Sequence, residues 1–171
     1  MARDVAEKRA GRHDRSWRAR NTPGAALDAE KIRYFASLDG ERHMSLATFR
    51  ATGEPVPTPI WFAEVGGRLY VRTASHFKKL ERISRTPRVT VAPCTETGDV
   101  TGAPFPAVAR ILSPGDPAIA AAESALEARY PDSRPAMTQL MADNGWTGVY
   151  VEIGPPSGGG VRSRSGRLDP V

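Results

Sequence analysis

The sequence predicts a mainly β fold, a small barrel of six antiparallel strands with short helices set between them. Two observations carry this. Apolar and polar residues alternate in short runs, as at Val149, Val151 and Ile153 against Gly148, Tyr150 and Glu152, which is the pattern of a half-buried strand. Turn signals punctuate the runs, among them Arg50-Ala51-Thr52-Gly53-Glu54, Val65-Gly66-Gly67-Arg68 and Thr97-Gly98-Asp99, leaving room only for short helices.

At 171 residues the chain has the size of one domain with one real core. No run of about 18 apolar residues occurs, so no membrane span is expected. The basic N-terminus lacks the apolar stretch of a secretory signal. Cys94 is the single cysteine, which excludes an internal disulfide and fits a reducing cytoplasm. With His13, His43 and His76 it makes no readable metal-ligand set. The net charge of +5 sits at the ends: residues 1–20 hold seven Lys/Arg against three acids (+4), and 154–171 hold Arg162, Arg164 and Arg167 against Asp169 (+2). That leaves residues 21–153 near −1 (+5 less +4 less +2). A nucleic-acid platform wants a basic face on the folded body, so nucleic acid is not an expected partner.

Taken in order, residues 1–26 read as a disordered basic arm ending at Asn21-Thr22-Pro23-Gly24. Residues 27–153 form the folded domain, and 154–171 a disordered Gly/Ser/Arg tail. A helix starts at Asp28 as N-cap, with Leu27 stapled to Ile32, buries Ile32, Phe35, Ala36 and Leu38, and ends at Asp39-Gly40. The first strand is His43–Phe49. The second, Pro55–Glu64, carries Pro55, Pro57 and Pro59 in alternation, so three missing N–H groups fall on one side. That side cannot pair fully; it is a guarded sheet edge or faces a ligand or partner subunit. Leu69–Thr73 is the third strand. The helix after it buries Phe77, Leu80 and Ile83, leaves Lys78, Lys79, Arg82 and Arg85 for its other surfaces, and closes at Thr86-Pro87. Val89–Cys94 and Val108–Leu112 follow as strands. Asp116-Pro117 then opens a helix to Arg129 with Ile119, Ala122, Leu126 and Tyr130 on its face. Ser133–Ala142 is a second short helix, and Trp146–Ile153 the sixth strand. The loops at 95–106 and 131–145 carry no recognisable chemistry.

The stretch Leu69–Arg88 joins a strand end to a helix N-terminus with lysines on its first turn. Free N–H groups and the helix dipole suit that place to an anion; a solvated surface helix is the plainer alternative.

Three segments, SLATFRATGEPVPTPIWF, GGRLYVRTASHFKKLERISRTPRVTVAPC and AVARIL, resemble the split-barrel flavin and deazaflavin reductases. These are relatives of pyridoxamine-phosphate oxidase, and the likeness is to the branch of PPOX-class F420-dependent oxidoreductases in particular. The resemblance spans roughly residues 30–153 and implies a six-stranded antiparallel split β-barrel that forms a homodimer. It implies that Thr73 and Lys79, with Lys78 and Arg82 beside them, hold the cofactor's phosphate, and that Thr58, Pro59, Ile60 and Trp61 lie against its ring system. Two residues before the lysine, where the family carries a small hydroxyl or basic residue, stands Phe77. The implied activity is hydride transfer between reduced deazaflavin and a small electrophilic substrate, with coenzyme F420 as cofactor. FMN in the same fold, and a carrier that binds deazaflavin without turnover, are the alternatives.

The residues themselves show no Ser/His/Asp or Cys/His arrangement and no paired carboxylates, so no catalytic side chain is assigned. His76 reads as a proton donor, a phosphate neighbour or a surface residue at a helix start. Trp61 and Trp146 read as pocket or core residues, and Cys94 as a small buried hydrophobe. Arg9, Arg12, Arg15, Arg18 and Arg20 are placed to hold a polyanionic cofactor tail or to act as a solvated arm.

Overall fold

The computed structural model describes residues 34–157. The basic arm, the start of the helix expected from Asp28 and nearly all of the tail lie outside the described residues. At the end of that helix Ala36, expected to be buried, is exposed, because only a single 3-10 turn forms there and it faces Phe35 and Leu38 inward. A short 3-10 turn, Ala36–Leu38, leads in and buries Phe35 and Leu38. Seven strands follow: β1 His43–Phe49, β2 Pro55–Ile60, β3 Ala63–Val65, β4 Arg68–Ala74, β5 Arg88–Cys94, β6 Phe105–Ile111 and β7 Gly148–Gly154. Three helices intervene: α1 Lys78–Arg85, α2 Ala118–Arg129 and α3 Arg134–Asp143. Every strand pairing is antiparallel, in the order β2-β1-β5-β6-β7-β4-β3.

That order makes the sheet a barrel. β2 and β3 lie at opposite ends of the sheet, yet only Trp61 and Phe62 link them. Such a link spans roughly 11 Å at most, so the sheet rolls until its two ends approach. The barrel stays split there because β2 turns a proline edge toward the gap. Val56, Thr58 and Ile60 face Thr48, Leu46 and Met44 across the ladder, while Pro55, Pro57 and Pro59 have no N–H to offer a further strand. β2 is an edge strand, as its prolines predict.

The six expected strands are seven, because Pro55–Glu64 is broken in the middle. At the break, the Phe62 N–H donates to the Tyr130 hydroxyl at 3.1 Å, and that hydroxyl lies 2.9 Å from the Phe62 carbonyl and 2.8 Å from that of Arg42. A side chain from the end of α2 thus takes the main-chain groups that a continuous strand would give to a neighbour. Trp61 stacks on the same ring at 5.1 Å and 13°.

The other elements follow from local chemistry. Gly66 and Gly67 both adopt positive φ (59° and 76°), the two-glycine turn whose twist suits the β3–β4 hairpin. Asp116 accepts the Ala118 N–H at 2.9 Å and so caps α2. Ala122, Leu126 and Tyr130 are buried as the helical spacing predicts, and α3 forms where the second short helix was expected. Phe35, Met44, Leu46, Leu69, Val71, Val89, Val91, Val151 and Ile153 fill the barrel. On the outer face, Glu152 is buried between Arg68 and Arg110 and accepts the Tyr70 hydroxyl at 2.9 Å. No helix of the described residues is long and apolar enough to cross a membrane.

One expectation fails at α1. Leu80 and Ile83 are buried, but Phe77 is 43% exposed and Lys79 only 9%. Phe77 is the N-cap, with extended backbone (φ −74°, ψ 132°), so its side chain leaves the helix before the helical periodicity begins. Lys79 takes the place on the buried face next to Leu80 and Ile83.

Candidate functional site

A cleft of about 670 Å³ opens between β2, the end of β4, the start of α1, and α3. All eight residues singled out in the sequence line it: Thr58, Pro59, Ile60, Trp61, Thr73, Lys78, Lys79 and Arg82. Three physical circumstances bring them together. β2 offers the cleft a strand edge and the Val56, Thr58, Ile60 row. β4 ends at Ala74 and feeds α1 within four residues, placing Thr73 beside the first helical turn. The bend at Tyr130 turns Trp61 out of the ladder, and its indole N–H donates to His43 Nε2 at 2.8 Å.

The basic groups differ in their surroundings. Lys78 is exposed and pairs with Glu81 at 3.0 Å, a contact worth little in water. Arg82 Nη1 donates to the buried Thr48 hydroxyl at 3.2 Å, which fixes its direction. Lys79 pairs with no carboxylate among the described residues; its Nζ lies 4.9 Å from the Phe77 ring centre. Burial first, and then the neighbouring Arg82 charge, hold its pKa below the ordinary lysine value. No side chain caps α1; the Leu80 N–H donates to the Phe77 carbonyl at 3.1 Å, which leaves the Lys78 and Lys79 amides for a ligand or solvent. Cationic side chains beside free helix-start amides are groups that can hold an anion.

Sequence reasoning missed part of the wall. Arg72 lines the cleft from β4, and Met137, Leu140 and Met141 line it from α3, in a segment where the sequence shows no chemistry. Arg72 left one signal, a charge in the interior of the strand RLYVRTA. The α3 residues left none, since three apolar side chains at helical spacing read as core. Trp146 and Phe77 stand at the cleft with His76 between them, its ring 4.4 Å from Phe77 and 4.7 Å from Trp146. His76 is exposed beside these aromatics and is not part of the cleft wall. Cys94 is buried, as a small hydrophobe would be. Among the described residues, no three His, Cys, Asp or Glu side chains converge on a metal position.

Solved structures share this architecture. The heme storage protein HutZ of Vibrio cholerae superimposes with a TM-score of 0.55 at 16% identity, over 77% of this chain and 90% of its own. An FAD-binding protein from Mesorhizobium loti gives 0.51 at 19%, over 77% and 88%. A conserved hypothetical protein from Mycobacterium tuberculosis gives 0.50 at 24%, over 73% and 79%. At such identities the likeness is one of fold. No curated protein matches the chain. The family model for pyridoxamine 5′-phosphate oxidase matches residues 29–144, a span that holds β1 to β6, all three helices and every residue proposed for the site. By that match the chain belongs to the pyridoxamine 5′-phosphate oxidase family.

Proposed function

We infer that the protein is an F420-dependent oxidoreductase, moving a hydride between reduced deazaflavin and a small electrophilic substrate. The observation that supports this best is the join between a buried, carboxylate-free Lys79 at a helix start and an apolar strand edge stripped of N–H donors. A phosphate-bearing planar ring would meet a suitable group at each end. Thr73, Lys79 and Arg82, with Lys78 at the rim, hold the phosphate. Thr58, Pro59, Ile60 and Trp61 lie along the ring system, and their side chains exclude water from it. When bound, the reduced cofactor supplies the hydride. The protein positions; no side chain is assigned an acid–base role.

The family match and the FAD-binding relative support a flavin-type cofactor, and FMN is the second reading. Among the relatives of the same fold, HutZ is a heme storage protein, but the lining histidine here, His43, already has Nε2 engaged by Trp61. The deazaflavin is preferred to FMN because it carries an oligoglutamate tail, and residues 1–20 hold seven Lys/Arg against three acids. We assign Arg9, Arg12, Arg15, Arg18 and Arg20 to that tail, and the working unit to a homodimer in the cytoplasm.

Calorimetric titration of the full chain with F420, FMN and hemin in parallel tests the choice. F420 is expected to bind most tightly. Tight binding of FMN alone overturns the cofactor, hemin alone overturns the redox reading, and F420 bound without turnover leaves a carrier. Deleting residues 1–20 is expected to weaken F420 at low salt and less so at moderate salt, while leaving FMN unchanged. Equal F420 affinity in the truncated and full chains at both salt levels removes the arm from the site.

A further inference from the structure

We propose that Arg72 and the cleft-facing side of α3 form a substrate subsite for a small apolar or aromatic molecule that carries a carboxylate. The proposal rests on the cofactor reading above and names the substrate class of that site.

The cleft has two cationic ends, Lys79 at the start of α1 and Arg72 on β4. Alternation along the strand sets Leu69, Val71 and Thr73 on the barrel's core face, and Tyr70 and Arg72 on the opposite face. Thr73 belongs with Lys79; Arg72 belongs with α3. Its Nη1 lies 3.5 Å from the Thr138 hydroxyl of α3, and its guanidinium sits 5.9 Å from the Tyr150 ring centre.

This guanidinium is under-partnered. It pairs with no carboxylate among the described residues, and its Nε is buried with no acceptor. The neighbouring strand nonetheless makes room for it. A Cβ on Gly148 would come within 2.4 Å of Arg72 Nε and 2.7 Å of Nη2, so the lack of a side chain there is what lets Arg72 occupy its place.

The surroundings set the rest of the ligand. Met137, Leu140 and Trp146 are 39%, 47% and 36% exposed, and all three line the cleft. Flexible thioether and flat indole surfaces accept a ring or a branched chain. A planar guanidinium fork beside them matches a carboxylate in two parallel hydrogen bonds. A neutral ligand of the same shape leaves the fork unpaired.

The test uses the full chain, with and without saturating FMN or F420, titrated with 2-naphthoate and with the neutral 2-naphthylmethanol by calorimetry and tryptophan fluorescence. Arg72→Gln, and independently Gly148→Ala, are expected to weaken 2-naphthoate about tenfold or more and to leave 2-naphthylmethanol unchanged. Lys79→Ala is expected to weaken the cofactor and spare 2-naphthoate. Unchanged 2-naphthoate affinity in Arg72→Gln overturns the subsite, as does an equal loss in Lys79→Ala, which would put the carboxylate at the phosphate end. Weakened F420 with unchanged 2-naphthoate in Arg72→Gln overturns it too, giving the guanidinium to the cofactor tail. Failure of the cofactor reading shows separately, as a parent chain that binds neither FMN nor F420, while the 2-naphthoate arms still report on Arg72.

Discussion

Lys79→Met is expected to weaken the phosphate-bearing cofactor by about ten- to a hundredfold while leaving the melting temperature unchanged or raised. The two effects have one cause. Lys79 is 9% exposed with no carboxylate partner among the described residues, so in the free protein its ammonium is a partly desolvated charge that contributes nothing favourable by ion pairing. Methionine fills nearly the same volume beside Leu80 and Ile83 without that charge. A bound phosphate, in contrast, satisfies the ammonium with charge-assisted hydrogen bonds. Parallel calorimetry and thermal melts separate the outcomes: a variant that binds like the parent removes Lys79 from the phosphate site, and one that melts far lower makes the lysine structural.

The same residue sets a pH dependence. Burial first, and then Arg82, lower the folded-state pKa of Lys79 below its unfolded value. Between those two values the unfolded chain binds more protons, so stability rises with pH across that window, and the group's contribution is unfavourable below it. Phosphate binding needs the charged form and works the other way. Cofactor affinity is expected to fall as pH rises through the lowered pKa, with proton uptake on binding inside the window. Lys79→Met is expected to lose both slopes.

How far this was legible depends on the kind of interaction. Strand positions came through because apolar alternation is local: His43–Phe49 is a strand from end to end as read. The edge character of β2 came through because a missing proline N–H is a property of the residue itself. What needed partners distant in sequence did not come through. At the break, Trp61–Phe62 meets the Tyr130 hydroxyl from 68 positions away, and nothing in Pro55–Glu64 announces that contact. Lys79 reads as a solvated charge, since burial of an ammonium follows from the cleft and not from helix periodicity. The local charge balance was equally hidden. Residues 21–153 sum to near −1, yet Arg72, Lys78, Lys79 and Arg82 gather in one cleft against Glu96.

Tyr130 is where the barrel and the cleft are joined, and Tyr130→Ala is expected to be strongly destabilising. The side chain is fully buried, its hydroxyl serves the Phe62 amide and the Phe62 and Arg42 carbonyls, and its ring carries Trp61. Truncating such a ring costs about 3–5 kcal/mol through lost burial and the cavity left, and stranding a buried amide adds about 1–3 kcal/mol. Together these approach the whole stability of about 5–15 kcal/mol that an ordinary domain has. Tyr130→Phe removes the hydroxyl alone, so about 1–3 kcal/mol of loss is expected, with the Trp61 stack retained. Cofactor affinity then reports on geometry: if the hydroxyl holds the bend that presents Trp61 to the cleft, Tyr130→Phe weakens the cofactor although it touches neither phosphate nor ring. Urea unfolding and cofactor titration of the two variants read this directly. A Tyr130→Phe chain that unfolds at the parental urea midpoint would show that the bend holds without its hydroxyl. The break between β2 and β3 would then belong to the prolines and the Trp61–Tyr130 stack.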